Sequence, residues 1–357
     1  MTRPVLLVTP SVPPERVGAF TALAERWPLE VATYAAGDHH FSASVGSDAF
    51  PVHHVAQREV RRLAAGPWSA VVAGTAGRTT FPAAWRGARR AGLPFVVWSA
   101  MWHEPSTLPF RIARPLLRRI VRDADAVATY GAHVSDHVTA LGARRAFVAP
   151  QAVDPVVWRD PPAAPRPADD PFRVAFVGRD APGKGLDRLL DAWERSGLAA
   201  ERAELLLVGP DPAALGPRVA RAGIRAVGPL PPAEVRDWLD RSDLLCVPSH
   251  RTASFLEPWG LVGNEAMHRG VPVLATDEVG AVAGGLIRSG RNGVVVPAGD
   301  PAALAVALRE RFADRTDTEA LGIAARDDVA AYTFEAWADG MVAAIEAAIA
   351  ARGRRTS

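Results

Sequence analysis

Two stretches of the sequence hold residues whose types and spacing could do chemistry. The first is Val174-Ala175-Phe176-Val177-Gly178-Arg179-Asp180-Ala181-Pro182-Gly183-Lys184-Gly185-Leu186. It reads as a strand, a glycine-rich turn carrying two cations, and the start of a helix. Glycines let backbone N–H groups approach oxygens, a helix N-terminus adds its dipole, and Arg179 and Lys184 add charge, so the combination suits an anionic phosphate. Gly178 to Lys184 also satisfies the G-x-x-x-x-G-K part of a nucleoside-triphosphate loop. That motif needs a Ser or Thr hydroxyl next for magnesium, and here the residue is Gly185. A plain strand-to-helix turn is the remaining alternative.

The second stretch is Leu244-Leu245-Cys246-Val247-Pro248-Ser249, followed by Glu257-Pro258-Trp259-Gly260-Leu261-Val262-Gly263-Asn264-Glu265-Ala266-Met267. Two carboxylates are separated by seven intervening residues, the first in a turn and the second in a helix. A helix starting near Gly260 puts Glu265 about one and a half turns in, roughly 8 Å along the axis. Glu257 then points from a loop into a cleft, while free N–H groups from Trp259 to Leu261 face an anion or a sugar hydroxyl. Carboxylates so separated suit two different hydroxyl pairs on one ligand.

Elements that could position these residues are legible along the whole chain. Apolar runs at Val5–Val8, Val31–Tyr34, Ala70–Val72, Phe95–Trp98, Ala126–Thr129 and Ala146–Val148 alternate with helical stretches, which predicts a parallel α/β sheet. A second series follows at Val174–Val177, Leu205–Val208, Leu244–Val247, Val271–Ala275 and Val294–Val296, with helices near 186–194, 232–240, 260–269, 301–314 and 334–352. Between the series, residues 160–171 hold five prolines and little that could pack, as a linker would. The expected plan is two doubly wound Rossmann-like domains facing across a cleft. They are 1–165 on the acceptor side and 171–332 on the donor side, with a terminal helix over 333–357 expected to cross back to the first. Ligands in such sheets sit beyond the carboxyl ends of the strands.

Pro248-Ser249 with Glu257-Pro258-Trp259-Gly260-Leu261-Val262, Glu265-Ala266-Met267 and Gly270-Val271-Pro272-Val273 resembles the E-x7-E signature of retaining glycosyltransferases of family 4. The turn Gly178-Arg179 to Lys184-Gly185 is similar to that family's diphosphate segment, and Gly228-Pro229-Leu230 and Ser289-Gly290-Arg291-Asn292-Gly293 to Asp300 agree with it. The resemblance covers about residues 172–310. The first half agrees only in outline, at Ala124-Asp125-Ala126-Val127 and Pro150-Gln151-Ala152-Val153-Asp154. It implies a GT-B fold and a retaining, metal-independent transfer of a hexose-type sugar from a nucleotide diphosphate sugar to an acceptor hydroxyl, with no cofactor beyond that co-substrate. It also implies roles. Gly178, Arg179 and Lys184 would hold the diphosphate and steady the leaving group. Glu257 would bind donor-sugar hydroxyls, with Pro258, Trp259, Gly260 and Leu261 around it. Glu265 would take the ribose, and Leu230 would border the base. Arg179, Lys184 and Glu257 are the catalytic candidates.

The pattern departs from the family in two places. The loop after the first strand, Pro10-Ser11-Val12-Pro13-Pro14-Glu15-Arg16-Val17-Gly18, has Gly18 alone where a glycine pair is common. His103 arrives late in Ser99-Ala100-Met101-Trp102-His103-Glu104 and stands as a candidate for the sugar 6-hydroxyl region. A nucleotide-sugar epimerase of the same fold, or a non-catalytic nucleotide-sugar-binding protein, is the alternative.

Other signals point away from chemistry. His133 and His137 have metal-ligand spacing, but Val134 stands where a zinc protease needs its glutamate, so a helix-surface pair is expected. Asp123-Ala124-Asp125 matches D-x-D yet ends an arginine-rich helix, and no metal is expected. His39-His40 and His53-His54 read as loop residues.

Among 357 residues, 48% are hydrophobic, enough to bury two cores. Net charge is +2, split as +6 over residues 1–160 and −4 over the rest, too scattered for nucleic acid. Lys184 is the one lysine beside 40 arginines. The one cysteine, Cys246, excludes disulfide stapling and points to a reducing compartment. No signal peptide or membrane span is read, so a cytoplasmic place is expected. The basic and apolar stretch from Phe110 to Arg122 reads as a solvated helix face, with weak contact with an anionic inner membrane face as the alternative. The sequence leaves the acceptor open among lipid-linked, polysaccharide and natural-product hydroxyls.

Overall fold

The computed structural model describes residues 3–34, 47–159, 169–219 and 223–356. The chain divides into two compact units, 1–152 with 332–357, and 153–331.

In the first unit seven parallel strands form one sheet: β1 (Val5–Thr9), β2 (Leu29–Thr33), β3 (Val52–His54), β4 (Ala70–Gly74), β5 (Phe95–Ser99), β6 (Ala126–Thr129) and β7 (Ala146–Val148). Their spatial order is β3-β2-β1-β4-β5-β6-β7. Alternation along β1 sends Val5 and Leu7 into one core and Leu6 and Val8 into the other, so every residue of the strand is buried. Both faces therefore need helices, which is why these strands read as unbroken apolar runs. Helices Thr80–Arg90 and Leu108–Asp123 contribute Trp85 and Ile120 to the Leu6 side.

Helix Pro14–Ala24 and the C-terminal helix Phe334–Thr356 cover the other face. Phe20, Trp98 and Trp337 pack ring to ring there, with centroids 5.6–6.1 Å apart. Arg352 Nε donates to the buried Asp125 at 3.0 Å, and the same carboxylate oxygen accepts from Phe95 N. Asp125 is thus a structural anchor for the last helix. Gly18, expected in a loop at the site, lies inside helix Pro14–Ala24; a Cβ on it would fall 2.1 Å from the Phe334 ring. Its missing side chain makes room for the terminal helix.

His53 and His54 are also placed differently from the expected loop. They end the edge strand β3, where His53 Nε2 meets Glu30 at 2.7 Å and His54 Nδ1 meets the Thr33 hydroxyl at 2.7 Å. His39 and His40 lie outside the described residues.

The second unit is built on β8 (Phe172–Val177), β9 (Ala203–Val208), β10 (Ile224–Gly228), β11 (Leu244–Val247), β12 (Val273–Thr276) and β13 (Gly293–Val296), all parallel, in the order β10-β9-β8-β11-β12-β13. Helices Leu186–Ser196 and Pro301–Ala313 pack side by side over Trp193, Leu189 and Leu308. Arg309 closes that seam by donating to Ser196 O at 2.7 Å. Asp300 caps the second helix through Ala302 N and Ala303 N. Asn292 is fully buried and bonds Arg288 N, Leu286 O and Asp328.

The first domain was expected to run to 165, but residues from Val153 belong to the second unit. The physical reason is that Arg269 donates to Trp158 O at 2.9 Å and Arg236 to Val157 O. Of the expected proline-rich linker, residues 160–168 lie outside the described residues. Among the elements that escape the sequence patterns are the edge strands β3 and β10, and helix Arg315–Val329, whose polar sequence has a weak apolar stripe. Among the described residues no helix is long and apolar enough to cross a membrane.

Candidate active site

Each sheet reverses its winding at one place, between β1 and β4 and between β8 and β11. Helices leave such neighbouring strands toward opposite faces, which opens a crevice at the carboxyl ends. Both crevices are present. The one in the second unit is about 210 Å³ and is lined by Val177, Lys184, Ser249, Glu257, Gly260 and Leu261 among others.

Lys184 reaches it because the turn after β8 is pinned to the loop after β11. His250 N donates to Gly183 O at 2.8 Å. Gly185 then starts helix Leu186–Ser196 at φ +77°, with Pro248 O so near that a Cβ would sit 1.9 Å from it. No other residue type fits both conditions. The residue that removes the magnesium hydroxyl of a triphosphate loop is therefore one that the packing requires.

Glu257 comes from the other side. Its carbonyl accepts from Gly280 N at 3.1 Å, and its side chain is buried, 5% exposed for the whole residue. One carboxylate oxygen, Oε2, accepts from Lys184 Nζ at 2.6 Å and from the Ser249 hydroxyl at 3.0 Å. Ser249 is fixed in turn by the Thr276 hydroxyl, which donates to its carbonyl. The Lys184 ammonium also lies 5.4 Å from the Phe255 ring centroid.

The expected ring of residues around Glu257 divides into lining and support. Gly260 and Leu261 line the pocket, the glycine at φ +88°. Trp259 is buried, donates its indole N–H to Asn264 at 2.8 Å and accepts from Ala281 N at 2.8 Å through its carbonyl. It holds the loop. Pro258 supports it too, its carbonyl lying 2.0 Å from where a Cβ on Gly280 would stand.

Other predicted residues stand outside the pocket lining. Gly178 follows β8 at φ +155°. Arg179 beside it is exposed and forms no ion pair with the described residues. Leu230 follows β10, two strands away from β8. Glu265 is half-buried in the first turn of helix Val262–His268. That helix begins two residues later than expected, so the glutamate stands about one turn from the start, not one and a half.

In the first unit the crevice is about 190 Å³ and is lined by Thr9, Ser11, Arg16, Thr75, Trp98 and Tyr130 among others. Neither Gly18 nor His103 is among its lining residues. His103 instead lies by His137, whose pKa is lowered by burial against an opposing pull from Glu104. His133 and His137 are half-buried on helix Ala132–Ala140, and His133 packs edge-on to Trp102 at 5.2 Å. Asp123 pairs with Arg89 at 2.7 Å. Among the described residues no three His, Cys, Asp or Glu side chains gather as a metal site. Cys246 is buried under the sheet and its thiol pKa is pushed up by that burial.

Sequence reasoning quoted Ser249 without a role and passed over Arg16. Ser249 carried a signal, since it lies two residues past β11 at the switch point. Arg16 had none, because its neighbours Trp98, Tyr130 and Gln151 come from three distant segments.

A buried carboxylate held by a compact ammonium at a switch-point crevice can do two things. The ammonium can stabilise negative charge on a bound phosphate, and the carboxylate can accept hydroxyl hydrogens beside it.

Known proteins fit this geometry. Residues 171–314 match the family model described as glycosyl transferases group 1. Glycogen synthase of Mycobacterium tuberculosis is 32% identical over 217 residues, 58% of this chain and 50% of that protein. D-inositol 3-phosphate glycosyltransferase of Geodermatophilus obscurus is 35% identical over 199 residues, 51% of this chain and 41% of that protein. The chain thus spans about half the length, or less, of these curated relatives. Among solved structures, sucrose-phosphate synthase from Thermosynechococcus elongatus superposes with a TM-score of 0.74 at 18% identity, over 96% of this chain and 98% of that one. An Anabaena protein in complex with UDP and glucose gives 0.73 at 17% identity, over 96% and 99%. The chain has the GT-B fold of two parallel-sheet α/β domains, and its segment 171–314, which carries Lys184 and Glu257, matches the glycosyl transferases group 1 family.

Proposed function

We propose that the chain transfers a hexose-type sugar from a nucleotide diphosphate donor to an acceptor hydroxyl, with retention of configuration and without a metal. The observation that carries the reading is the Lys184–Glu257 pair, 2.6 Å apart at the switch point of the group 1 segment. In this reading Lys184 and Arg179 bind the diphosphate, and the lysine stabilises the charge that grows on it as the glycosidic bond breaks. Glu257 accepts hydrogens from donor-sugar hydroxyls, oriented by Ser249. Glu265 binds the ribose and Leu230 borders the base. Retention follows the family resemblance, with the departing phosphate helping to deprotonate the acceptor.

Two similar proteins support a reading of the donor and the acceptor. The Anabaena structure holds UDP and glucose, which supports a UDP-hexose donor. The name of the Geodermatophilus relative supports a small phosphorylated polyol as acceptor. The exposed Leu108 and Ile112 beside Arg111 and Arg114 support weak peripheral contact with an anionic membrane surface.

Thermal-shift measurement against UDP, GDP and TDP sugars tests the donor, because a ligand of the folded state raises the melting point by mass action. Stabilisation by one nucleotide class, followed by transfer of its sugar to an acceptor panel with EDTA present, is the expected result. NMR of the product's anomeric proton reads the stereochemistry. No stabilisation by any nucleotide sugar would refute the reading.

A further inference from the structure

The crevice of the first unit holds a charge that its own walls do not neutralise. Arg16 is half-buried on helix Pro14–Ala24, at the carboxyl ends of β1, β4 and β5. Its guanidinium donates to the side-chain oxygen of Gln151, a neutral amide that is itself fully buried. The guanidinium carbon lies 5.5 Å from the Trp98 ring centroid and 5.8 Å from that of Tyr130. Among the described residues no carboxylate lines the crevice and none forms an ion pair with Arg16. This contrasts with Arg173 and Arg269, the two most buried arginine side chains among the ion pairs, which meet Glu204 at 2.6 Å and Asp240 at 2.5 Å.

Removing a guanidinium from water without an opposite charge is costly, and aromatic faces and one amide return only part of that cost. The planar guanidinium fork matches two oxygens of a phosphate or carboxylate, and a second pair of donors remains beyond the bond to Gln151. Around it the crevice offers the hydroxyls of Thr9, Ser11 and Thr75 and the aromatic walls of Phe20, Trp98 and Tyr130. Hydroxyls beside a flat apolar wall suit a polyol ring.

We propose that this crevice binds a small polyhydroxylated acceptor through an anionic substituent, a phosphate monoester or a carboxylate, held by Arg16. The inference rests on the reading of the chain as a sugar transferase, which supplies the need for an acceptor. It adds where the acceptor sits and that Arg16 takes its charge, a contact that a neutral glucan would not need.

The experiment is a set of calorimetric titrations of the full chain with glucose 6-phosphate, inositol 1-phosphate, glucuronate, glucose and inositol. UDP is kept at saturation to occupy the second unit. The wild type should bind at least one of the anionic compounds tenfold or more tightly than its neutral counterpart, and the preference should weaken with added salt. Arg16→Gln, which keeps a hydrogen-bonding amide beside Gln151, should abolish the preference, and Arg16→Lys should retain part of it. The melting point and the UDP-induced shift should stay as in the wild type. Equal binding of charged and neutral compounds, no binding of any anionic one, or a preference that survives in Arg16→Gln would overturn the proposal. Failure of the transferase reading shows separately, as no melting shift with UDP, since that measurement does not involve Arg16.

Discussion

Lys184 and Glu257, 73 residues apart in sequence, form a 2.6 Å ion pair whose carboxylate is buried and whose ammonium is one-quarter exposed. The pairing makes each residue a condition for the other. Lys184→Ala removes the cation meant for the donor phosphates and also takes the positive charge from a buried carboxylate that keeps the Ser249 hydroxyl. A loss of activity is therefore expected together with a destabilisation of about 1–3 kcal/mol, the usual range for removing a hydrogen-bond partner of a buried charged group. Urea denaturation beside a transfer assay separates the two effects. Glu257→Gln should lower transfer with less loss of stability, and the double variant should be less destabilised than the sum of the singles. Strict additivity would show that the pair is not formed in solution.

Gly185 is the second constraint on the same lysine. Its φ of +77° and the Pro248 carbonyl 1.9 Å from a notional Cβ leave no room for alanine. Gly185→Ala should displace the turn, and the expected outcome is donor affinity reduced tenfold or more with a melting point lowered by several degrees. Gly290→Ala serves as the control, since it also has positive φ but open space around it. A Gly185→Ala protein no less stable than that control, with full donor affinity, would contradict the packing described.

Gly18 and Phe334 make a prediction about the first unit. Gly18→Val should force the Phe334 ring aside and destabilise that unit by about 1–3 kcal/mol, as overpacking commonly does. Phe334→Ala in the same chain should return part of the loss. Chemical denaturation of the single and double variants reads this directly, and no rescue would mean that the terminal helix is not packed on Gly18.

Stability should depend on pH through His268. Burial lowers its pKa to about 4, with Arg159, Arg326 and Arg269 adding to the effect. In the unfolded chain the imidazole protonates near its ordinary value of about 6.5. Between these values the unfolded state binds more protons, so stability falls as pH drops from about 6.5 toward 4. His268→Gln should flatten that part of the profile of urea midpoint against pH. An unchanged slope would assign the acid sensitivity to other groups.

Glu265 tests the ribose assignment apart from the lysine pair. It is half-buried in the first turn of its helix and outside the pocket lining. Glu265→Ala should raise the donor KM tenfold or more, while the UDP-sugar and its 2′-deoxyuridine analogue lose their difference. A variant that still discriminates between them would remove Glu265 from that role.

The alternation of sheet and helix was legible because parallel strands buried on both faces must be continuous apolar runs, as in Val5–Val8 and Leu244–Val247. The glycine turn and the two glutamates were legible because backbone freedom and fixed spacing are local properties. Edge strands gave weaker signals. Ile224–Gly228 and Val52–His54 are half-exposed, so their alternation is diluted. Residue types alone could not separate Trp259, which holds its loop, from Gly260, which lines the pocket.

The sequence by itself determined the two α/β halves, the anion-suited turn at Gly178–Gly185 and the seven-residue spacing of Glu257 and Glu265, all written over short range. Only the tertiary structure decided that Lys184 meets Glu257, that Gly18 serves the terminal helix, and that Arg16 stands among Gln151, Trp98 and Tyr130. Those relations join residues 73 to 316 positions apart, or across three strands. They depend on strand order at the two switch points, which local pattern does not encode.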